Sequence, residues 1–392
     1  MQNYDISVIK KILKDKNMHL LVEPDTVETE YFFNKDIDNL SCSSNDTRYI
    51  LNKKKINLIK FLAEINACIK YIGSGATGHT FRVDVFKRGS ENKDSDIIYQ
   101  MAMKVSAYPK KSSYGGIRNA YRPENAEILM LKGLSYFKNN NLTPHLIHPI
   151  ITFYSDMKLF NAIRKEKYLK DKKFMEFMEK YDEGRYEDTV SILLSEWANR
   201  GDFLSFVRER HRKFEDIHWR VFFFQIVSVL ATIQLKYPNF KHNDLKANNI
   251  LVHKVNLQTP NIKYMISNKK YYIPNIHYQV KLWDFDFACI DKTIKNIKVE
   301  EKWTNDMNIN NKRNRYYDLH YFFNTFLNFF PNVIKIREVN EFIDRVVPKK
   351  YRSTDDKNKT VNKKGRILVN DEYTTPLKLI EDDIFFEQFR RK

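Results

Sequence analysis

His242-Asn243-Asp244-Leu245-Lys246-Ala247-Asn248-Asn249-Ile250-Leu251 sets a carboxylate, a cation and an amide immediately ahead of an apolar run that reads as a strand. Asp244 and Asn249 stand five residues apart. A second apolar run, Val280-Lys281-Leu282-Trp283-Asp284-Phe285-Asp286-Phe287, carries Asp284 where its strand turns. Transfer of a phosphoryl group asks a protein to position the hydroxyl nucleophile, hold the triphosphate and neutralise developing charge, with little covalent work. Asp244 beside the acceptor hydroxyl, with Asn249 and Asp284 on metal ions, would meet the first and last of these. Taken alone, the run serves protein and small-molecule acceptors equally.

Upstream, Cys68 to Val105 is built of short β-type runs, CIKYIG, HTFRVDVF and IIYQMAMKV, separated by a Gly-rich and a polar turn. This predicts an antiparallel meander. Gly73-Ser74-Gly75-Ala76-Thr77-Gly78 lies in the first turn, and Lys104 ends the third run as Met101-Ala102-Met103-Lys104. A helix is predicted over Arg122–Tyr136, with Pro123 in its first turn and Ile128, Leu131 and Leu134 at helical spacing. Val190–Ser195 reads as a buried strand; Asp202–Arg210, Trp219–Leu235, the stretch beyond Asp318 and Pro376–Phe389 read as helices. Asp156–Asp188 reads as an inserted helical pair whose apolar positions are Leu159, Phe160, Ile163, Phe174, Phe177 and Met178. His253–Gln279 reads as an extended hairpin, and Thr354–Lys364 as a flexible polar loop.

These segments resemble the protein kinase superfamily, whose catalytic loop H-R-D-L-K-x-x-N and metal-binding D-F-G they match with two departures. The resemblance implies an α+β, bilobal kinase-like fold: a small β-rich N-lobe with one key helix, and a mostly helical C-lobe. It divides the chain into an N-terminal extension over 1–65, an N-lobe over 66–198 that holds the 156–188 insert, and a C-lobe over 199–392 that holds the 253–279 hairpin. It makes Asp244 the catalytic base and Lys246 the neutraliser of the transferred phosphate. Gly73, Gly75 and Gly78 become the cover of the ATP phosphates. Ala102 and Lys104 resemble V-A-I-K, with Lys104 on the α- and β-phosphates and Glu127, preferred over Glu124, as its partner. Leu193 to Leu204 is similar to the hinge, with the backbone of Glu196 and Ala198 facing adenine and Asp202 placed for the ribose. Asn249 and Asp284 are the implied metal ligands, for Mg2+ with Mn2+ as the alternative ion. Asp318 looks like the buried aspartate that braces the catalytic loop.

Two positions depart from that pattern. Asn243 replaces the usual Arg, so no guanidinium stands there to pair with a phosphorylated activation loop, which predicts activity without such phosphorylation. Asp286 replaces the Gly of D-F-G, removing a residue that tolerates φ > 0 and adding a carboxylate expected near the metals. No A-P-E follows, and Thr77 and Thr80 replace the usual residues of the phosphate loop. With the Y-Y-D-L-H-Y-F-F run, the long insert and the short C-terminal part, D-F-D resembles the virion kinases of poxviruses and their counterparts in other large DNA viruses. That likeness implies Ser/Thr specificity with some Tyr activity, protein substrates that include virion proteins, and residence in the virion and host cytoplasm; a non-viral chain would be cytoplasmic.

The remaining composition fits. With 392 residues, 42% hydrophobic and 14% aromatic, the chain can bury a core in each of two lobes. The balance of 67 Lys+Arg against 49 Asp+Glu, a formal +18, is compatible with acidic proteins, nucleic acid or anionic membranes. No specific nucleic-acid motif and no transmembrane-length apolar run is legible, and oligomeric state is not encoded in any pattern here. Cys42, Cys68 and Cys289 lack the spacing of a disulfide framework or zinc site, which points to a reducing compartment. Two rival readings use the same residues: a small-molecule phosphotransferase of the choline- or aminoglycoside-kinase kind, disfavoured by Lys246 and the hinge, and a pseudokinase binding module, disfavoured by the presence of Lys104, Asp244, Asn249 and Asp284.

Overall fold

The computed structural model describes residues 6–14, 18–22, 45–75, 78–89, 93–162, 171–330, 336–355, 357 and 359–390. Cys42, Ala76, Thr77 and Ile163 lie outside them. The described chain forms two compact units. One runs from Ala198 onward and takes in Leu134–Ile147, and the other holds the residues up to Gly133 with His148–Trp197.

Among the described residues, the N-terminal unit opens with three short helices, α1 (Ile6–Leu13), α2 (Thr47–Ile50) and α3 (Leu58–Glu64). The period-2 runs then form β1 (Ala67–Ser74), β2 (Gly78–Phe86) and β3 (Ile97–Pro109). Helix α4 (Pro123–Asn139) follows, counted in this unit as far as Gly133, with proline at its first position, where the missing N–H leaves no intrahelical bond unmade. Strand β4 (Pro149–Asp156), helices α5 (Met157–Ala162) and α6 (Lys172–Asp182), and β5 (Tyr186–Glu196) complete the unit. The sheet is antiparallel throughout, in the order β1-β2-β3-β5-β4. Strand β4 carries no alternation of apolar and polar residues: seven of its eight residues are buried, so the period-2 signal is absent from its sequence.

The inserted helices cover the β1–β2 end of the sheet. Phe160 of α5 and Phe174 and Phe177 of α6 are buried around His79, with ring centroids 5.3, 4.9 and 4.3 Å away. The extension is also part of this unit. Tyr154 of β4 exchanges backbone bonds of 2.8 Å with Lys54 and Ile56, and Phe61 of α3 meets Phe153 at 5.3 Å.

The C-terminal unit is mostly helical: α7 (Phe203–Arg210), α8 (Asp216–Lys236), α9 (Lys302–Asp306), α10 (Tyr317–Phe329), α11 (Arg337–Val346), α12 (Pro376–Asp382) and α13 (Glu387–Arg390). Helix α8 is apolar all round because it is the core helix. It is the one helix among the described residues long and apolar enough to cross a membrane, and 78% of that window is buried in protein. The short strands pair as β6 (Phe240–Lys241) with β11 (Cys289–Ile290) and β7 (Ile250–Lys254) with β10 (Tyr278–Leu282). The insert forms a hairpin of β8 (Asn261–Ile266) and β9 (Lys269–Pro274). Its two turn residues, Ser267 and Asn268, have φ of 49° and 62°, the left-handed pair that a two-residue hairpin turn requires.

The predicted final helix 376–389 is broken at Asp383. Its carboxylate accepts from the Phe385 amide at 2.9 Å and binds Arg345 at 2.7 Å, which ends α12 and starts a new turn.

Candidate active site

In the N-terminal unit, β3 delivers Lys104 and α4 delivers Glu127. Lys104 Nζ donates to both carboxylate oxygens of Glu127, at 2.6 and 2.8 Å, and Glu127 is 3% exposed. Glu124, three residues earlier, is held instead by Arg122 at 2.9 Å. The Gly-rich turn is closed by a 2.7 Å bond from the Gly75 amide to the Gly78 carbonyl. Gly78 pairs with Ser106 on β3 and lies next to the Lys104 side chain, 3.5 Å separating Lys104 Cε from the point where a Cβ on Gly78 would sit. Ala102 is buried on β3. The Glu196 amide donates to the His148 carbonyl at 2.9 Å, which anchors the end of β5. These groups have the chemistry to hold a triphosphate: backbone amides and one fixed ammonium.

In the C-terminal unit, the loop 242–249 is fixed from beneath by Asp318 at the start of α10. Its two carboxylate oxygens accept from the amides of His242 (2.7 Å) and Asn243 (2.8 Å), and it is 1% exposed. Burial pushes its carboxyl above the usual range, opposed by the His242 ring and the two amides. Asn243 takes φ of 63° and Asp284 φ of 62°, a conformation that asparagine and aspartate tolerate better than other side chains. Asp244 is 7% exposed. Its Oδ2 accepts from Asn249 Nδ2 at 2.9 Å and lies 3.0 Å from Lys246 Nζ. Asn249 Nδ2 also donates to the Asp244 carbonyl at 2.8 Å, so Asn249 presents its carbonyl oxygen as the remaining ligand atom. That oxygen with the Asp284 carboxylate is a hard donor pair suited to a divalent ion that keeps waters and phosphates in its shell. Ala198 is buried in this unit. Asp202 caps α7, accepting from the Ser205 amide at 2.9 Å.

A carboxylate held by an amide and an ammonium, with the Trp283 amide that precedes Asp284 donating to the Asn249 backbone carbonyl at 3.1 Å, is an arrangement that phosphotransferase chemistry can use. The family model described as poxvirus serine/threonine protein kinase matches residues 95–388. The chain belongs to the poxvirus serine/threonine protein kinase family. A provisionally named serine/threonine-protein kinase of Acanthamoeba polyphaga mimivirus is 41% identical over 98% of this chain and 80% of its own length. A second of the same virus is 34% identical over 24% of this chain and 26% of its own. Serine/threonine-protein kinase 2 of swinepox virus is 33% identical over 31% of this chain and 26% of its own length. Family membership brings with it ATP, a divalent metal and protein substrates.

The two departures of this kinase from the wider superfamily have structural uses. Asn243 Nδ2 donates to the carbonyls of Phe287 (3.0 Å) and Asn310 (3.2 Å), tying the catalytic loop to both ends of the segment that follows Asp284. Asp286, expected to bring a carboxylate to the metals, directs it to Lys298, whose ammonium also lies 4.0 Å from the Phe287 ring centroid. The left-handed residue of D-F-D is Asp284, and Asp286 is not among the described residues with positive φ, which is why no glycine is needed there.

Two further residues, one in each unit, support these groups without any sequence signal. Arg366 reaches Asp244 from the segment after the polar loop, and Lys53 of the extension lies beneath α4. Neither sits in a motif or at a telling spacing.

Proposed function

We propose that this kinase transfers the γ-phosphoryl group of Mg2+-ATP to Ser and Thr hydroxyls of proteins, virion proteins among them, in the virion and host cytoplasm, and needs no phosphate on its own activation segment. The arrangement around Asp244 carries the catalytic part. The acceptor oxygen bonds to the γ-phosphorus as the bond from that phosphorus to the bridging oxygen breaks. ADP leaves with the electron pair, and the acceptor's proton goes to the Asp244 carboxylate. Lys246, 3.0 Å from that carboxylate, would balance charge on the transferred group. Mg2+, or Mn2+ in its place, would be held by Asn249 and Asp284 and would neutralise phosphate charge. Lys104, fixed by Glu127, would hold the α- and β-phosphates, beneath the Gly73–Gly78 turn. We assign adenine to the backbone near Glu196 and Ala198.

Independence from phosphorylation is supported by where the hydroxyls lie. Between Asp284 and Asp318 the chain has four: Thr293, Thr304, Tyr316 and Tyr317. The last three are 0% exposed. Thr304 Oγ1 donates to the Glu301 carbonyl at 2.6 Å and Tyr316 to the Val346 carbonyl at 2.6 Å. The segment is tied down by Asn243, which donates to the Phe287 carbonyl, and by Lys298, which pairs with Asp286. The virion assignment is supported by the likeness of D-F-D and Y-Y-D-L-H-Y-F-F to poxvirus virion kinases.

Incubating wild type and Asp244→Asn with labelled ATP, virion protein extract and amino alcohols tests the reading. Phosphoserine and phosphothreonine should form on protein with wild type alone, at a rate that phosphatase treatment of the enzyme leaves intact. Transfer confined to amino alcohols, or complete loss after the phosphatase, would overturn the corresponding part.

A further inference from the structure

Lys363-Lys364-Gly365-Arg366-Ile367-Leu368 looks like surface sequence, yet Arg366 is 4% exposed. Its guanidinium donates through Nη2 to Asp244 Oδ1, and through Nη1 to the Asn243 carbonyl and, at 3.3 Å, to the Tyr317 hydroxyl. The ring of Tyr321 lies beneath it, 4.1 Å from the guanidinium carbon. A tight turn aims the side chain. Gly365 has φ of +80°, its carbonyl accepts from Asn324 Nδ2 at 2.9 Å, and a Cβ there would come within 3.1 Å of that same nitrogen. On the other side, the Ile367 carbonyl accepts from Asn308 Nδ2 at 2.5 Å.

The carboxylate of Asp244 is therefore gripped from two directions: Oδ1 by Arg366, Oδ2 by Asn249 and Lys246. A planar guanidinium that binds the carboxylate and the preceding carbonyl together fixes the rotation of the Asp244 side chain, which an ammonium on a flexible stem does not. Burial alone would lower the Arg366 pKa, but the Tyr317, Tyr321 and Asp244 oxygens outweigh it and raise it, so the cation is permanent.

We propose that Arg366 is the positioning residue of the catalytic base, supplying from the C-terminal part of the chain a guanidinium that fixes the Asp244 carboxylate and the carbonyl that precedes it. The inference rests on the kinase reading above. Arg366 takes no proton in the reaction; it holds Asp244 in the orientation from which the carboxylate accepts one.

The test uses full-length wild type, Arg366→Ala, Arg366→Lys and Asp244→Asn, with kcat, KM for ATP and melting temperature measured for each. Arg366→Ala should lower kcat about 10²-fold, the scale of a misplaced catalytic group, with KM for ATP little changed. Added methylguanidinium should restore much of the lost rate, and Arg366→Lys should be intermediate. If Arg366→Ala does not fold, Arg366→Lys carries the same criteria through its own kcat loss and rescue. A rate equal to or above wild type would overturn the proposal, as would a loss that tracks melting temperature and that neither lysine nor methylguanidinium repairs. Failure of wild type to transfer phosphate at all would instead remove the kinase reading. Transfer by wild type but not Asp244→Asn, with Arg366→Ala matching wild type, would remove this inference alone.

Discussion

Lys53 Nζ lies 2.9 Å from Asn125 Oδ1, two residues before Glu127 on α4. The same ammonium reaches Ser191 Oγ of β5 at 2.6 Å and Tyr108 of β3 at 3.0 Å, and Lys53 is 1% exposed. Burial lowers its pKa well below the ordinary lysine value. One side chain from the extension thus joins the helix that carries Glu127 to the strand that carries Lys104. Replacing it by methionine keeps most of the volume and removes three buried hydrogen bonds, leaving Asn125 Oδ1 with the Tyr108 hydroxyl alone, at about 1–3 kcal/mol. We expect Lys53→Met to lower the melting temperature by several degrees and to raise KM for ATP, as Glu127 loosens. A variant with wild-type ATP affinity and unchanged melting would show that the extension does not brace α4.

Glu127 and Glu124 lie on the same helix but have different partners, and their substitutions should separate accordingly. Glu127→Gln removes the carboxylate that fixes Lys104 and should cut kcat/KM for ATP by about 10²-fold. Glu124→Gln breaks the buried pair with Arg122, whose guanidinium also donates to the Pro109 and Gly115 carbonyls at 2.7 and 2.8 Å. Its effect should appear in stability, roughly 3–5 kcal/mol for an uncompensated buried charge, with kcat/KM much less affected. Steady-state kinetics with denaturant melts on both variants would check this. An equal loss of catalysis in the two would contradict the assignment.

What was legible in the sequence follows the range of the forces involved. Strands β1 to β3, helix α4 and the loop 242–249 are specified by local periodicity and motif. Strand β4 was not legible because its two buried faces erase the alternation. Asp202, which the resemblance places for the ribose, caps α7 through one carboxylate oxygen, a tertiary-independent role that its position before a helix also specifies. The partner of Asp286, Lys298, stands twelve residues on and is set by the course of the segment between them, which no local pattern specifies. Arg366 and Lys53 act 122 and 72 residues away from Asp244 and Asn125, through tertiary placement that no spacing rule encodes.

His79 makes the N-terminal unit acid-sensitive. It is enclosed by Phe160, Phe174 and Phe177, its Nδ1 is 2.6 Å from Ser74 Oγ, and desolvation lowers its pKa from 6.5 to about 4, with Asp171 opposing weakly. The folded state therefore prefers the neutral ring. Above pH 6.5 neither state carries the proton and the full stability is present. As pH falls from 6.5 toward 4 the unfolded state binds the proton first, and stability is lost, by about 3 kcal/mol at 1.36 kcal/mol for each pH unit traversed. His79→Phe keeps an aromatic ring in the cage but removes the bond to Ser74 Oγ, which retains only the Tyr71 hydroxyl, so it should be less stable at pH 7.5. Its stability should nevertheless decline less between pH 6.5 and 4. Denaturant melts of wild type and variant across that interval read the difference in slope, and parallel curves would remove His79 as the source.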